Sequence, residues 1–390
     1  MESEKNLQES IEPKTSDEVA KKLKKINRRS LILNKLRCFG STDYGYPTVD
    51  EVDGDGNVDM QSASTDKKHS PTHLVVMVNG LIGSAHNWRY AAKQFLKKYP
   101  DDLIVHCSER NSSLLTFNGV DVMGNRLANE VVSVIKRYPN LEKISFIGHS
   151  LGGLVARYAI AKLYGVHTQD SRIGGLVPIN FITVATPHLG TGGHRQVPLF
   201  GGSNTVEKVA HQISWVLGRT GRHLFLTDKT HPHPHPPLLL QMVDDSQDLK
   251  FLSALQSFRR HVVYANAHFD HIVGWSTSSI RRRNELPKRK NLVRSCKYPH
   301  ILKGDRDTTK TVKQESPLLL LQPNNFKTAT ASMEEAMMRG LTKISWERVD
   351  VSFKGSKQRY FAHNTIQVNS PWINSDGADI IQHLVDNFQF

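Results

Sequence analysis

Gly148-His149-Ser150-Leu151-Gly152-Gly153 is the stretch on which the fold of this chain turns. It carries the Gly-x-Ser-x-Gly pattern of a nucleophile elbow, in which a sharp strand-to-helix turn lifts a serine hydroxyl clear of the backbone. The turn strains the serine, so the positions two before and two after it must be almost free of side chain. Gly148 and Gly152 meet that need. The flanks agree: residues 143–147 alternate and are β-prone, whereas residues 154–161 are rich in Ala and Leu and helix-prone. Without those flanks, the same letters would describe a glycine-rich turn holding an ordinary serine.

Working outward, residues 74–78 form a continuous apolar run of the kind found in strands buried on both faces of a parallel sheet. Residues 103–107, 180–185, 260–265 and 342–353 read as further strands. Residues 88–99, 120–138, 332–340 and 376–388 read as helices. Strands and helices alternating at these lengths predict an α/β fold, mostly a parallel sheet with helices on both faces. Two stretches break the rhythm. Residues 190–258 mix Gly- and Pro-rich parts with an apolar patch and are expected to form a lid-like insertion. Residues 283–331 are basic and poorly periodic and are expected to form a loop-rich excursion. Residues 1–70 are polar and are expected to form a disordered arm, with the domain proper at 71–390.

Composition narrows the function. The 390 residues carry a net charge of +14, with 38% apolar residues and three cysteines. The basic balance points to anionic surroundings, and peripheral contact with an anionic membrane fits it. No nucleic-acid module is present, so no specific nucleic-acid partner is expected. Three scattered cysteines give neither a disulfide framework nor a zinc pattern. The charged N-terminus lacks the apolar run of a secretory signal, and no apolar run spans a bilayer, which leads to an expected cytoplasmic location, peripheral at membranes. A basic block at residues 21–29 reads as a solvated arm or a short amphipathic helix that touches lipid. The His-Pro repeat at residues 231–237 reads as a stiff extended loop, because its alternating prolines splay the histidines apart; no metal is expected there.

An acyl-transfer serine needs a base, a carboxylate to orient that base, and donors for the oxyanion. Ser150 is the nucleophile candidate. Asp270 follows the strand at 260–265, where a sheet delivers a carboxylate to its C-terminal edge. Asp244 and Asp245 are rivals within the expected lid. His363 lies in the loop after the last expected strand and is the base candidate; His383 falls inside the terminal helix, and His149 and His188 read as packing or structural histidines. Leu151 and Leu81 are the candidate backbone N–H donors of an oxyanion hole, with Gly80 and Gly83 letting the loop after the first core strand approach a substrate closely.

Residues 79–84, the Gly-His-Ser-Leu-Gly-Gly elbow, Thr186-Pro187-His188-Leu189-Gly190, the run from Tyr264-Ala265-Asn266 to Asp270, Val273-Gly274-Trp275 and Ala362-His363-Asn364 together resemble the eukaryotic serine-esterase, lipase-like family of the α/β-hydrolase superfamily. The resemblance covers roughly residues 73–275 and resumes near 342–390. It implies a triad of Ser150, Asp270 and His363 and a lipid-ester substrate; the acyl-enzyme mechanism itself needs no metal or organic cofactor. Many members of that family have His-Gly before the oxyanion turn, where this chain has Asn79-Gly80. The expected activity is carboxylic ester hydrolysis. An acyltransferase or thioesterase using the same triad, or a non-catalytic binding protein on the same fold, are the alternatives.

Overall fold

The computed structural model describes residues 48–52, 58–62, 70–165, 171–191, 217–228, 235–304 and 326–390, all within the unit Pro47–Phe390. The strands are β1 (Thr48–Val52), β2 (Val58–Ser62), β3 (His73–Val78), β4 (Leu103–Cys107), β5 (Lys143–His149), β6 (Val177–Val184), β7 (Arg260–Asn266), β8 (Leu292–Arg294), β9 (Ile301–Gly304) and β10 (Glu347–Val351). The helices are α1 (Arg89–Lys98), α2 (Val120–Arg137), α3 (Leu151–Leu163), α4 (Gly218–Leu224), α5 (Leu238–Gln241), α6 (Phe251–Gln256), α7 (Trp275–Ser279), α8 (Phe326–Leu341), α9 (Ala362–Thr365) and α10 (Ala378–Asp386).

The strands form one sheet in the order β1-β2-β4-β3-β5-β6-β7-β10-β9-β8. From β4 to β10 every neighbouring pair is parallel; the hairpins at both edges are antiparallel. The apolar run of β3 is buried along its whole length because both faces are covered. Leu74, Val76 and Val78 face a core shared with α2 and α3; Val75 and Met77 face a second core shared with α1 and α10. This is the mostly parallel α/β sheet expected from the alternation of strands and helices, in the α/β-hydrolase arrangement that the resemblance implies. The chain runs from β3 outward to β4 and then returns to β5 on the other side of β3. The strand order thus reverses at β3 and β5, and the C-terminal ends of strands at such a switch point are where open α/β sheets hold their ligands.

Two expectations are corrected. Residues 48–52 and 58–62, expected within the polar arm, build the hairpin that lines up beside β4. It is anchored by buried charge rather than by an apolar run: Asp59 binds both His106 Nδ1 and Arg137, and Glu130 lies 3.1 Å from His106 Nε2. Burial alone would push the His106 pKa down, but these two carboxylates outweigh it and hold the pKa up, at about 9. The stretch 283–331, expected to be loop-rich, supplies β8 and β9 and the first part of α8. Arg282 holds that helix through Glu335 and its own turn through Glu285. The basic block at residues 21–29 and most of the His-Pro repeat lie outside the described residues.

Candidate active site

Ser150 stands between β5 and α3 with φ 53° and ψ −127°, a backbone conformation that side-chain-bearing residues avoid. Its N–H donates to the Val184 carbonyl at 2.8 Å, which pins the turn to β6. The glycines leave no room for anything larger. A Cβ on Gly152 would come within 2.3 Å of the Val78 carbonyl oxygen, and one on Gly148 within 2.6 Å of Gly153 Cα. The elbow is thus wedged against the end of β3, and the serine stands at the C-terminal ends of β3 and β5.

Three expected side chains meet there. The Ser150 hydroxyl lies 2.9 Å from His363 Nε2, and His363 Nδ1 lies 3.0 Å from Asp270 Oδ2. Burial by itself would raise the Asp270 pKa, but the adjacent His363 and the donors around the carboxylate more than compensate and hold it below the ordinary range. Those donors are Asn266 Nδ2 on Oδ2 at 2.9 Å, and the backbone N–H groups of Ile272 and Val273 on Oδ1 at 3.0 and 2.8 Å. An ionised carboxylate only accepts, so Nδ1 of His363 carries the proton and Nε2 is left to accept from the serine hydroxyl. His363 was expected in a loop; it sits in the single helical turn α9, capped below by the 3₁₀ turn Lys357–Phe361.

The turn after β3 reaches the serine from the other side. A Cβ on Gly80 would stand 2.9 Å from Ser150 Cβ, so the absence of a side chain lets residues 80–83 close on the nucleophile. Gly83 N–H donates back to the Gly80 carbonyl at 3.1 Å, and Asn79 Nδ2 donates to the carbonyls of Asn111 at 2.9 Å and Gly80 at 3.2 Å. The Asn79 amide thus braces the turn from below. Leu81 follows Gly80 directly in this turn, and Leu151 opens α3, where first-turn N–H groups have no carbonyl to bind within the helix.

The rival residues fall elsewhere. His188 is fully buried with Nε2 on Thr183 Oγ1 at 2.9 Å, and burial beside Arg157 keeps its pKa far below the ordinary value. His383 pairs with the Tyr264 hydroxyl. Asp245 caps residues 252 and 253, and Asp244 is exposed. Two contributors were missed in the sequence. His149 Nε2 donates to the His363 carbonyl at 2.7 Å, a tie that its reading as a packing or structural histidine does not contain. Asn266 Nδ2 also reaches the Ala362 carbonyl at 3.2 Å, so one amide spans the acid and the segment carrying the imidazole. The Tyr264-Ala265-Asn266 run held that signal. Among the described residues, no cluster of His, Cys, Asp and Glu could hold a metal ion.

Comparison with known proteins bears on this site. A family model described as "Putative serine esterase" (DUF676) matches residues 68–280, more than half of the chain. "Putative lipase ROG1" of Saccharomyces cerevisiae is 33% identical over 228 residues, covering 57% of this chain and 30% of the relative. "Putative lipase C4A8.10" of Schizosaccharomyces pombe is 28% identical over 275 residues, covering 68% of this chain and 33% of the relative. The chain therefore spans about a third of the length of these curated relatives. Among solved structures, carboxyl esterase 2 of Tuber melanosporum aligns over 89% of this chain and 87% of its own, at 10% identity and a TM-score of 0.43. With the elbow, the strand order and a family match over residues 68–280, the chain belongs to the serine-esterase (DUF676) family of α/β-hydrolases.

Proposed function

We propose that this protein is a serine hydrolase that cleaves carboxylic esters of lipids through an acyl-enzyme on Ser150. The observation that carries the reading is the continuous relay from Ser150 Oγ through His363 to Asp270, at 2.9 and 3.0 Å. Ser150 Oγ attacks the ester carbonyl carbon while His363 Nε2 takes the hydroxyl proton. Asp270 keeps Nδ1–H aligned and offsets the charge that forms on the imidazole. The N–H groups of Leu81 and Leu151 receive the oxyanion. When the tetrahedral adduct collapses, the C–O bond to the alcohol breaks and Nε2–H protonates the departing oxygen. Water then gives its proton to Nε2 and attacks the acyl carbon; as the bond from that carbon to Oγ breaks, Nε2–H returns the proton to Oγ, releasing the acid and the free serine. In this reading residues 71–390 form the catalytic domain and residues 190–258 its lid-like insertion. Support for the insertion's place comes from Thr220 Oγ1, which donates to the Thr116 carbonyl at 2.7 Å, while Thr116 Oγ1 accepts from Ile82 N–H in the turn beside the serine. The substrate is drawn from a membrane surface with which the basic chain makes peripheral contact.

The test compares the native chain with Ser150→Ala on short p-nitrophenyl esters and with a fluorophosphonate probe. Loss of about 10⁴-fold or more in kcat, together with loss of labelling in a folded variant, is expected. A native chain that neither hydrolyses esters nor takes the probe would remove the reading.

A further inference from the structure

With two exceptions, Val293 and Phe390, every strongly exposed large apolar side chain among the described residues stands on the loops that carry the site. Ile82 belongs to the turn after β3, Leu114 to the 3₁₀ turn Ser113–Phe117, Ile272 to the loop after Asp270, Phe361 to the residues just before His363, and Trp372 and Ile373 to the segment after α9. Trp372 is 83% exposed. A tryptophan left so far in water, among other apolar side chains on one rim, marks a surface with a partner.

The rim is built rather than loose. Ser113 N–H donates to the Gly83 carbonyl at 3.0 Å and Ile82 N–H to Thr116 Oγ1 at 2.9 Å, which joins the 113–117 turn to the turn after β3. Asn87 binds Asn369, and Asn374 Nδ2 donates to Thr365 Oγ1 at 3.0 Å, so the segment with Trp372 is tied both to the residues after that turn and to α9. Within it, the N–H groups of Ile373 and Asn374 both donate to the Ser370 carbonyl, holding Trp372 on a closed turn.

Charge selects the partner. Lys354, Lys357 and Arg359 lie on the approach to Phe361, with the Arg359 guanidinium 4.7 Å from the Tyr360 ring centroid. The carboxylates of the same loops are turned to internal tasks: Asp270 is buried against His363, and Asp376 accepts from Ser356. The outward face therefore offers aromatic and aliphatic tips beside cations that have no acidic partner among the described residues, complementary to an anionic lipid surface. We propose that this rim is a membrane-docking surface that seats the mouth of the site on an anionic bilayer. Trp372 and Ile373 enter at headgroup depth, and Lys354 and Lys357 meet the lipid phosphates. The proposal rests on the lipid-ester reading above and gives it a route: an ester leaves the bilayer for Ser150 without crossing water.

The experiment is co-sedimentation of the full chain with phosphatidylcholine vesicles, with and without phosphatidylserine, at low and high salt. The native chain is expected to bind the anionic vesicles and to release at high salt. Trp372→Ala is expected to weaken partition about tenfold, and Trp372→Asp with Ile373→Asp to abolish it. Lys354→Glu with Lys357→Glu should remove the preference for phosphatidylserine. Hydrolysis of a soluble short ester should be unchanged in all of these. Native-like partition of the rim variants, or no binding of the native chain to either vesicle, overturns the proposal and leaves the rim to a protein partner. Vesicle binding by a chain that hydrolyses no ester would sink the serine reading and leave the docking surface standing.

Discussion

His149 Nε2 donates to the backbone carbonyl of His363 at 2.7 Å, so the residue before the serine grips the residue expected to act on it. The two rings lie 4.8 Å apart. Burial, and then the neighbouring His363, push the His149 pKa down to about 3, so at any working pH it is neutral and keeps the proton on the nitrogen that meets the carbonyl. The elbow and the imidazole segment, 213 positions apart, are locked by this bond as well as by the serine hydroxyl.

Breaking that grip should separate positioning from chemistry. His149→Phe fills the space but has no donor; it is expected to lower kcat about 10- to 100-fold with little change in KM, because the imidazole is no longer held at its distance. His149→Gln, which can still donate, should recover part of the loss. Steady-state kinetics on a soluble ester with a melting curve for each variant check this. Equal kcat for His149→Phe and the native chain would show that the bond holds nothing the reaction uses.

Asn266 gives a prediction in pH. The Asp270 carboxyl is raised by burial but lowered overall by His363, the Val273 N–H and the Asn266 amide. Asn266→Leu removes one of the donors that favour the ionised form, so the Asp270 pKa rises towards its ordinary range. The carboxylate then protonates earlier as pH falls, and the acid limb of kcat/KM moves to higher pH. A loss of about tenfold in kcat at neutral pH should accompany it, as the amide also holds the Ala362 carbonyl. An acid limb superimposable on the native one would contradict the assignment.

The glycines of the site should divide sharply. Gly152→Ala places a methyl 2.3 Å from the Val78 carbonyl oxygen and 2.6 Å from that of Asn79, and both are backbone atoms at a strand end that cannot give way. A loss of more than about 3 kcal/mol, or no folded protein, is expected. Gly175 is the control: its φ is +85° but nothing lies within 4 Å of an added Cβ, so Gly175→Ala should cost only the strained backbone, about 1–2 kcal/mol. Denaturant unfolding of the two variants measures the contrast.

The parts legible in the sequence share one property: their physics is local. The β3 run is apolar without interruption because both faces are covered, the elbow is a six-residue code, α2 carries an amphipathic period, and α3 announces itself by its content of Ala and Leu. Asp270 and His363 could be named because each follows a strand that ends at the C-terminal edge of the sheet, even though 93 positions separate them. What stayed hidden depends on distant polar partners. β2 is fastened by Asp59 to His106 and Arg137, 47 and 78 positions away, and a buried acid on a short polar strand looks like any solvated loop. β8 and β9 form a largely exposed hairpin at the end of the sheet, with no apolar run to announce them. His149 reads as packing because nothing in its neighbours reveals a carbonyl 214 positions on.

The buried cluster beneath β2 and β4 sets a pH dependence of stability. The folded His106 pKa is raised from 6.5 to about 9. A raised histidine binds its proton more tightly in the folded state, so its contribution is complete below about pH 6.5 and is lost as pH climbs through about 9. Above that, Asp59 remains buried with Arg137 as its cation, and Glu130 remains buried beside the neutral His106. The native chain should lose up to about 3 kcal/mol of stability across this window. His106→Gln removes the titrating group: it is expected to be less stable at neutral pH, because the two carboxylates lose their charged partner, yet flat between pH 6.5 and 9 where the native chain slopes. Melting temperatures of both proteins over that range decide the matter. Parallel slopes in the two would mean that the proton is not held at His106 and that the hairpin is fastened by the Asp59–Arg137 pair alone.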